Sequence, residues 1–230
     1  TFTKRLVTGH EAAYSCDPVD FDDDGDIDVV VTSVMGDDNV YWYENNGAQS
    51  FTQRPILLSY ADPFEARALD YDNDGDMDVV VACHSNLAQN GKVVLCRNNG
   101  SNTFTVQELD GAAPMATSVF WVDLDQDGHL DVLSTTGGDD RVNWYRSNGA
   151  AIPSFTKSVI QYGMGYATYV VAEDLDGDGD VDVVVSCLDD RNVSWLENNG
   201  SEVFTRHLLA RNVFNSQFVG AGDITGDGVP

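Results

Sequence analysis

Apolar and β-branched residues come in short runs along the whole chain, separated by polar turns, and nowhere at the spacing of a helix face. One set is valine-rich: Val29-Val30-Val31, Val79-Val80-Val81, Val132-Leu133 and Val183-Val184-Val185. Polar turns follow, as at Gly36-Asp37-Asp38, Gly138-Asp139-Asp140 and Asp189-Asp190. A second set is Val40-Tyr41-Trp42-Tyr43, Val93-Val94-Leu95-Cys96, Val142-Asn143-Trp144-Tyr145 and Val193-Ser194-Trp195-Leu196. Each of these closes on an Asn-Gly pair (Asn46-Gly47, Asn99-Gly100, Asn148-Gly149, Asn199-Gly200), whose tolerance of positive φ makes it a hairpin signal. A further strand opens with Phe-Thr at Phe51, Phe104, Phe155 and Phe204, and Phe2-Thr3 matches it, predicting a strand from Phe2 to Val7. Leading strands are predicted from Tyr14 to Val19, Glu65 to Leu69, Ser118 to Val122, Tyr169 to Glu173 and Gln217 to Gly222.

Between each leading strand and its valine run lies an acidic loop, and these loops start at Asp20, Asp70, Asp123, Asp174 and Asp223, intervals of 50, 53, 51 and 49 residues. Four short antiparallel strands recurring at this period predict an all-β fold, a β-propeller of four-stranded blades. A solenoid of stacked hairpins is the competing arrangement.

The formal charge is 12 − 38 = −26, and 22 of the 38 acids sit in the five loops, so the rest of the chain carries only 12 − 16 = −4. In the four complete loops, positions one, three, five and nine are always Asp: Asp20, Asp22, Asp24 and Asp28, then Asp70, Asp72, Asp74 and Asp78, then Asp123, Asp125, Asp127 and Asp131, then Asp174, Asp176, Asp178 and Asp182. Position six is always Gly (Gly25, Gly75, Gly128, Gly179, and Gly228 in the fifth), as a tight turn at positive φ requires. Position four varies through Asp23, Asn73, Gln126 and Gly177, as a solvated tip would. Position seven is Asp26, Asp76, His129 or Asp180, and a position that accepts His is better suited to offering its carbonyl.

Carboxylates so close together repel unless a cation lies among them. Six to eight hard oxygen ligands in flexible geometry suit Ca²⁺; Mg²⁺ prefers a stricter octahedron, and zinc or copper would want His or Cys. Each loop therefore reads as one Ca²⁺ site, the alternative being a charged turn without metal. It is not an EF-hand, because position twelve is Val31, Val81, Ser134 or Val185 instead of a bidentate Glu, and a strand follows. The fifth copy offers Asp223, Thr225 and Asp227, has no ninth position within residues 1–230, and is expected to be weak or empty.

The D-x-D-x-D-G-x-x-D loop feeding V-V-V, then V-x-W-x-E-N-N-G and F-T, resembles the FG-GAP/VCBS repeat over nearly the whole chain. The resemblance implies a propeller, usually seven-bladed, with calcium between the first and second strands of each blade. It also implies an extracellular or cell-surface setting, with adhesion, lectin or scaffold roles commoner than catalysis. Residues 1–230 read as one domain of this type with four complete units and a split partial blade. Either the chain is a piece of a longer propeller or another chain supplies the missing strands, since open edges invite pairing.

The acidity excludes nucleic-acid or anionic-membrane binding through a basic face. No apolar run approaches the 18 residues of a membrane span, and Thr1-Phe2-Thr3-Lys4 is no signal peptide, so a secreted form would be a mature or excised segment. Cys16, Cys83, Cys96 and Cys187 form no C-x-x-C pair; Cys83 and Cys96 sit where neighbouring strands could be bridged, and separate thiols are the simpler expectation. The partner expected is a protein or glycan, with self-association through the incomplete blade as the alternative. A ligand face would lie opposite the acidic loops, on the connections carrying Tyr60, Phe64, Met115, Tyr162, Met164, Tyr166 and Phe214, where aromatics either stack on sugars or plug the space between blades. No nucleophile elbow, H-E-x-x-H or phosphate loop is present, and His10, His84, His129 and His207 fall at unrelated repeat positions, so no enzyme is expected. Were there a lyase or hydrolase, Arg67 and Asp17 on leading strands are the residues a central channel would offer. The sequons at Asn99, Asn192 and Asn199 permit N-glycosylation in a eukaryotic secretory route, although turn chemistry already accounts for two of them.

Overall fold

The computed structural model describes residues 13–34, 38–60, 62–85, 91–150 and 152–223. Among these, sixteen strands form four antiparallel sheets and there is no helix. The first sheet holds β1 (Ala13–Val19), β2 (Asp28–Ser33), β3 (Asn39–Asn45) and β4 (Phe51–Leu57). The second holds β5 (Pro63–Leu69), β6 (Asp78–Cys83), β7 (Lys92–Asn98) and β8 (Phe104–Asp110). In the third are β9 (Ala116–Val122), β10 (Asp131–Thr136), β11 (Arg141–Ser147) and β12 (Phe155–Tyr162), and in the fourth β13 (Ala167–Glu173), β14 (Asp182–Cys187), β15 (Asn192–Asn198) and β16 (Phe204–Arg211). Strand order in each sheet follows chain order, and no sheet closes into a barrel.

The second strands of the two middle sheets are buried on both faces because a neighbouring sheet covers each one, which is why β6 and β10 are buried throughout. The three apolar clusters lie between sheets. Val30, Val40 and Trp42 of the first sheet pack on Val79, Val81, Val94 and Cys96 of the second. Val80, Ala82 and Val93 pack on Val119, Val132 and Tyr145 of the third. Leu133, Val142 and Trp144 pack on Val170, Val183, Val185 and Leu196 of the fourth. The fourth strands β4, β8, β12 and β16 are largely exposed and polar, and β1 is exposed as well.

The leading strands stand side by side, β1 against β5, β5 against β9 and β9 against β13. Side chains join them to the neighbouring backbone: Asp17 Oδ2 accepts the Ala68 N–H at 2.9 Å, Glu65 Oε2 the Val119 N–H at 3.1 Å, and Ser118 Oγ the Val170 N–H at 3.3 Å. A threonine repeats the joint in the other sense. Thr32, Thr117 and Thr168 donate to the carbonyls of Phe64, Ala167 and Ser216 at 3.3, 2.8 and 2.6 Å. Arg67 lies over this row, bonded to Glu65, Asp17 and the hydroxyl of Tyr169 two sheets away, so the leading strands curve around a common line.

Two expectations need comment. Residues 217–222 form no strand. In each complete unit the leading strand pairs only with the second strand, and the residues that would form that partner after the fifth loop are not among residues 1–230. The strand expected from Phe2 to Val7 and the position of His10 lie outside the described residues, as do Gly36 and Asp37. All four cysteines are free thiols, and burial pushes Cys83 and Cys187 up to about 12.

Leu133 is wholly buried between the third and fourth sheets, whereas Ile152 is 77% exposed. Leu133→Ala is expected to lower stability by about 2–5 kcal/mol and Ile152→Ala by under ~0.5 kcal/mol. Urea unfolding followed by tryptophan fluorescence checks both, and equal effects would refute this account of the core.

Candidate metal centres

Each acidic loop joins a leading strand to the second strand, and its fold is written by the position-one aspartate. Asp20 accepts the N–H groups of Asp24 and Gly25 at 3.2 and 3.0 Å. Asp70 accepts those of Asp74 and Gly75 at 3.1 and 3.0 Å, and Asp123 those of Asp127 and Gly128 at 3.0 and 2.9 Å. Asp174 accepts those of Gly177 and Gly179 at 2.8 and 3.0 Å. This closure needs two left-handed residues. Position six supplies one, at φ between 88° and 96°, and position four the other, with Asp23, Asn73 and Gln126 near 57° and Gly177 at 76°. The variable tip is therefore a constrained one, filled mostly by residues that tolerate that conformation.

The position-nine aspartate begins the second strand, buried beneath the loop. Asp28 Oδ2 accepts the Phe21 N–H at 3.0 Å and its Oδ1 the Asn45 N–H at 2.6 Å. Asp182 does the same with Leu175 (3.1 Å) and Asn198 (2.7 Å), while Asp78 Oδ1 accepts from Asn98 and Asp131 Oδ1 from Ser147, both at 2.7 Å. One carboxylate thus ties the loop to the end of the third strand. That second duty is met by backbone N–H groups just before each Asn-Gly turn, which residue type alone does not reveal.

Three carboxylates per loop bring oxygens within 4.8 Å of one another: Asp20, Asp22 and Asp28; Asp70, Asp72 and Asp78; Asp123, Asp125 and Asp127; Asp174, Asp176 and Asp182. Asp24, Asp74 and Asp178 fall outside these sets, and they accept the N–H of position seven at 2.9–3.0 Å. The side chains of Asp26, Asp76, His129 and Asp180 also fall outside. They lie against Gly47, Gly100, Gly149 and Gly200 of the hairpin turns, where an added Cβ would crowd or strike them. Asp223 is described; Thr225 and Asp227 lie outside the described residues.

Burial pushes Asp78 up to about 7 and Asp131 up to about 6. It also raises Asp22, Asp72, Asp125 and Asp182, with the neighbouring loop carboxylates adding to the effect. Asp72 Oδ1, Asp78 Oδ2 and Asp125 Oδ1 are buried without a hydrogen-bond partner. Uncompensated buried carboxylate oxygens are costly, and a cation with hard-oxygen preference is the compensation their chemistry fits.

The opposite end of the sheets carries a cavity of about 260 Å³, lined by Tyr14, Phe64, Glu65, Thr117, Tyr166, Thr168, Tyr169 and Phe218 among others. Of the expected ligand face, it gathers Phe64 and Tyr166, adjoined by His84, which stacks on Phe64 and meets the Tyr166 hydroxyl at 3.1 Å. Tyr60 instead packs on the first apolar cluster, and Met164 is buried in another, while Tyr162 and Phe214 are exposed beneath Arg141 and Arg191.

A family model of the FG-GAP-like repeat matches residues 20–81, 83–134, 123–185 and 174–230. No curated protein matches the sequence. Among solved structures, the V. cholerae biofilm matrix protein Bap1 is similar at 18% identity and a TM-score of 0.51 over 88% of this chain and 28% of that one. The exotype rhamnogalacturonan lyase YesX is similar at 13% identity and a TM-score of 0.47, over 84% and 48%. The chain spans less than a third of the first and about half of the second.

The raised carboxyls set a pH dependence for protein stripped of divalent ions. Their folded values exceed the unfolded one, so the stabilisation is complete below about pH 4 and is lost as pH rises toward 7. The stripped protein is expected to melt higher at pH 5 than at pH 7.5, and Asp78→Asn to reduce the difference. A midpoint that rises with pH in calorimetry would contradict this.

Proposed function

The chain belongs to the FG-GAP-like repeat family, and from that premise we propose that it is a calcium-stabilised extracellular module for binding or structure, built as a β-propeller, not an enzyme. The single observation carrying this reading is the recurrence, in four equivalent loops, of three aspartates whose oxygens lie within 4.8 Å. Bound Ca²⁺ would supply positive charge that offsets carboxylate repulsion. The chain's own residues do the rest: the position-one aspartate shapes the loop, position three completes the ligand group, and position nine links it to the third strand. Extracellular modules bind Ca²⁺ at roughly 10⁻⁴ to 10⁻³ M, which suits a secreted or cell-surface setting. Likeness in fold to a biofilm matrix protein supports such a setting. The curved row of leading strands and the sheet-on-sheet packing support the propeller.

The partner proposed is a protein or glycan reaching the cavity opposite the loops, where Phe64 and Tyr166 present aromatic faces. Burial raises Tyr166, and also Tyr14 and Tyr169 beside it, the last to about 12, so these hydroxyls stay protonated and able to donate.

Calcium at 5 mM against a dissociation constant near 10⁻⁴ M adds about 2 kcal/mol per site, or roughly 4–8 °C for a chain of this size. Differential scanning calorimetry is expected to show this gain over chelated protein, with less from equimolar Mg²⁺ and a smaller gain in Asp72→Asn. An unchanged midpoint would remove calcium from the account.

A further inference from the structure

The four loops differ at one point outside the loops themselves. The sixth residue of the third strand is Glu44 in the first sheet, Arg97 in the second, Arg146 in the third and Glu197 in the fourth. In the third sheet the Arg146 Nε lies 2.9 Å from Asp125 Oδ2, the position-three carboxylate. Its guanidinium stacks on Trp144, 4.2 Å from the ring centre, and its Nη2 pairs with Glu202 of the next sheet at 2.5 Å. Trp144 in turn donates to Asp131 Oδ2 at 2.8 Å, and Asp131 is missing from the group of convergent oxygens that its counterparts join in the other three loops. Arg97 makes a longer version of the contact, 3.8 Å to Asp72. Among the described residues no ion pair is made by Asp22 or Asp176; Glu44 is turned to Arg54 and Glu197 to His207.

Resting on the calcium reading above, we propose that Arg146 acts as a built-in counter-ion for the third loop, so that the four sites are unequal and the third takes a divalent cation most weakly. The physical ground is competition. The guanidinium charge is permanent, it already compensates one of the carboxylates a cation would need, and it is held there by a ring and a second acid. A cation entering the third loop must displace or tolerate it, and it finds one ligand oxygen of Asp131 already committed to Trp144. The first and fourth loops meet no such guanidinium, and the second is intermediate. Arg146 is a positioning and selectivity residue, and its effect has opposite signs with and without the ion.

Calcium titration calorimetry of the whole chain is the test, with Arg146→Gln, Glu44→Arg and a melting curve for each. The unsubstituted chain is expected to show at least one site weaker than the rest. Arg146→Gln is expected to tighten that weakest site about tenfold, to lower the melting midpoint in chelator, and to raise it in saturating calcium. Glu44→Arg is expected to weaken one strong site. Four equal sites, or a weakest site unmoved by Arg146→Gln, would overturn the proposal while leaving calcium binding intact. Absence of calcium heat in every variant would sink the calcium reading and this proposal with it. A purely structural Arg146 would lower the midpoint under both conditions.

Discussion

Everything in this chain is arranged around a buried carboxylate at the base of each sheet. Asp28, Asp78, Asp131 and Asp182 open the second strands and each receives a backbone N–H from the end of the third strand. The contact joins loop, second strand and third strand at one point, so the acidic loop and the Asn-Gly hairpin cannot move independently. It also places a charge in a poorly solvated position beside other carboxylates. The repulsion is met by backbone donors and by an arginine where one is available, and the oxygens left without a partner suit a hard cation.

Much of this was legible in the sequence because the repeat is copied almost without variation where the chemistry is strict. The invariant positions one, three, five and nine contain all the convergent aspartates (one, three and nine in three loops, one, three and five in the third), and the Val, Trp and Phe-Thr landmarks located the sixteen strands of the complete units. Less visible was the division of labour among the acids. Position five looks like a ligand from its invariance, yet in three loops it caps the N–H of position seven and stands outside the convergent set. Position seven, which accepts His and is better suited to offering its carbonyl, rests its side chain on the hairpin glycine.

Other features leave no mark on a single sequence. The pairing of third and fourth strands slips at the same place in every sheet, after Val40, Val93, Val142 and Val193, adding a bulge that increases local twist. The partners of Asp17, Glu65 and Ser118 are backbone groups in the next unit, which no side-chain pattern reveals. Tyr60 and Tyr162 have the same sequence character, and only packing separates one against the core from one in solvent. The change from Glu to Arg and back at positions 44, 97, 146 and 197 was visible but had no meaning until its reach to the loop was known.

The joints between sheets bear on how such a chain can change over generations. Thr32, Thr117 and Thr168 each grip a main-chain carbonyl of the unit that follows, and a carbonyl is offered by any residue. Ser216, at the start of the fifth unit, offers its carbonyl to Thr168 as Ala167 does to Thr117, and its own hydroxyl donates to the carbonyl of Cys187. A unit inserted, lost or exchanged by recombination therefore finds the main-chain half of its joint ready-made, and has only to match the apolar side chains packed between sheets. Copy number is free to drift wherever that packing is met, while each copy keeps its own acidic loop at the far end of the sheet.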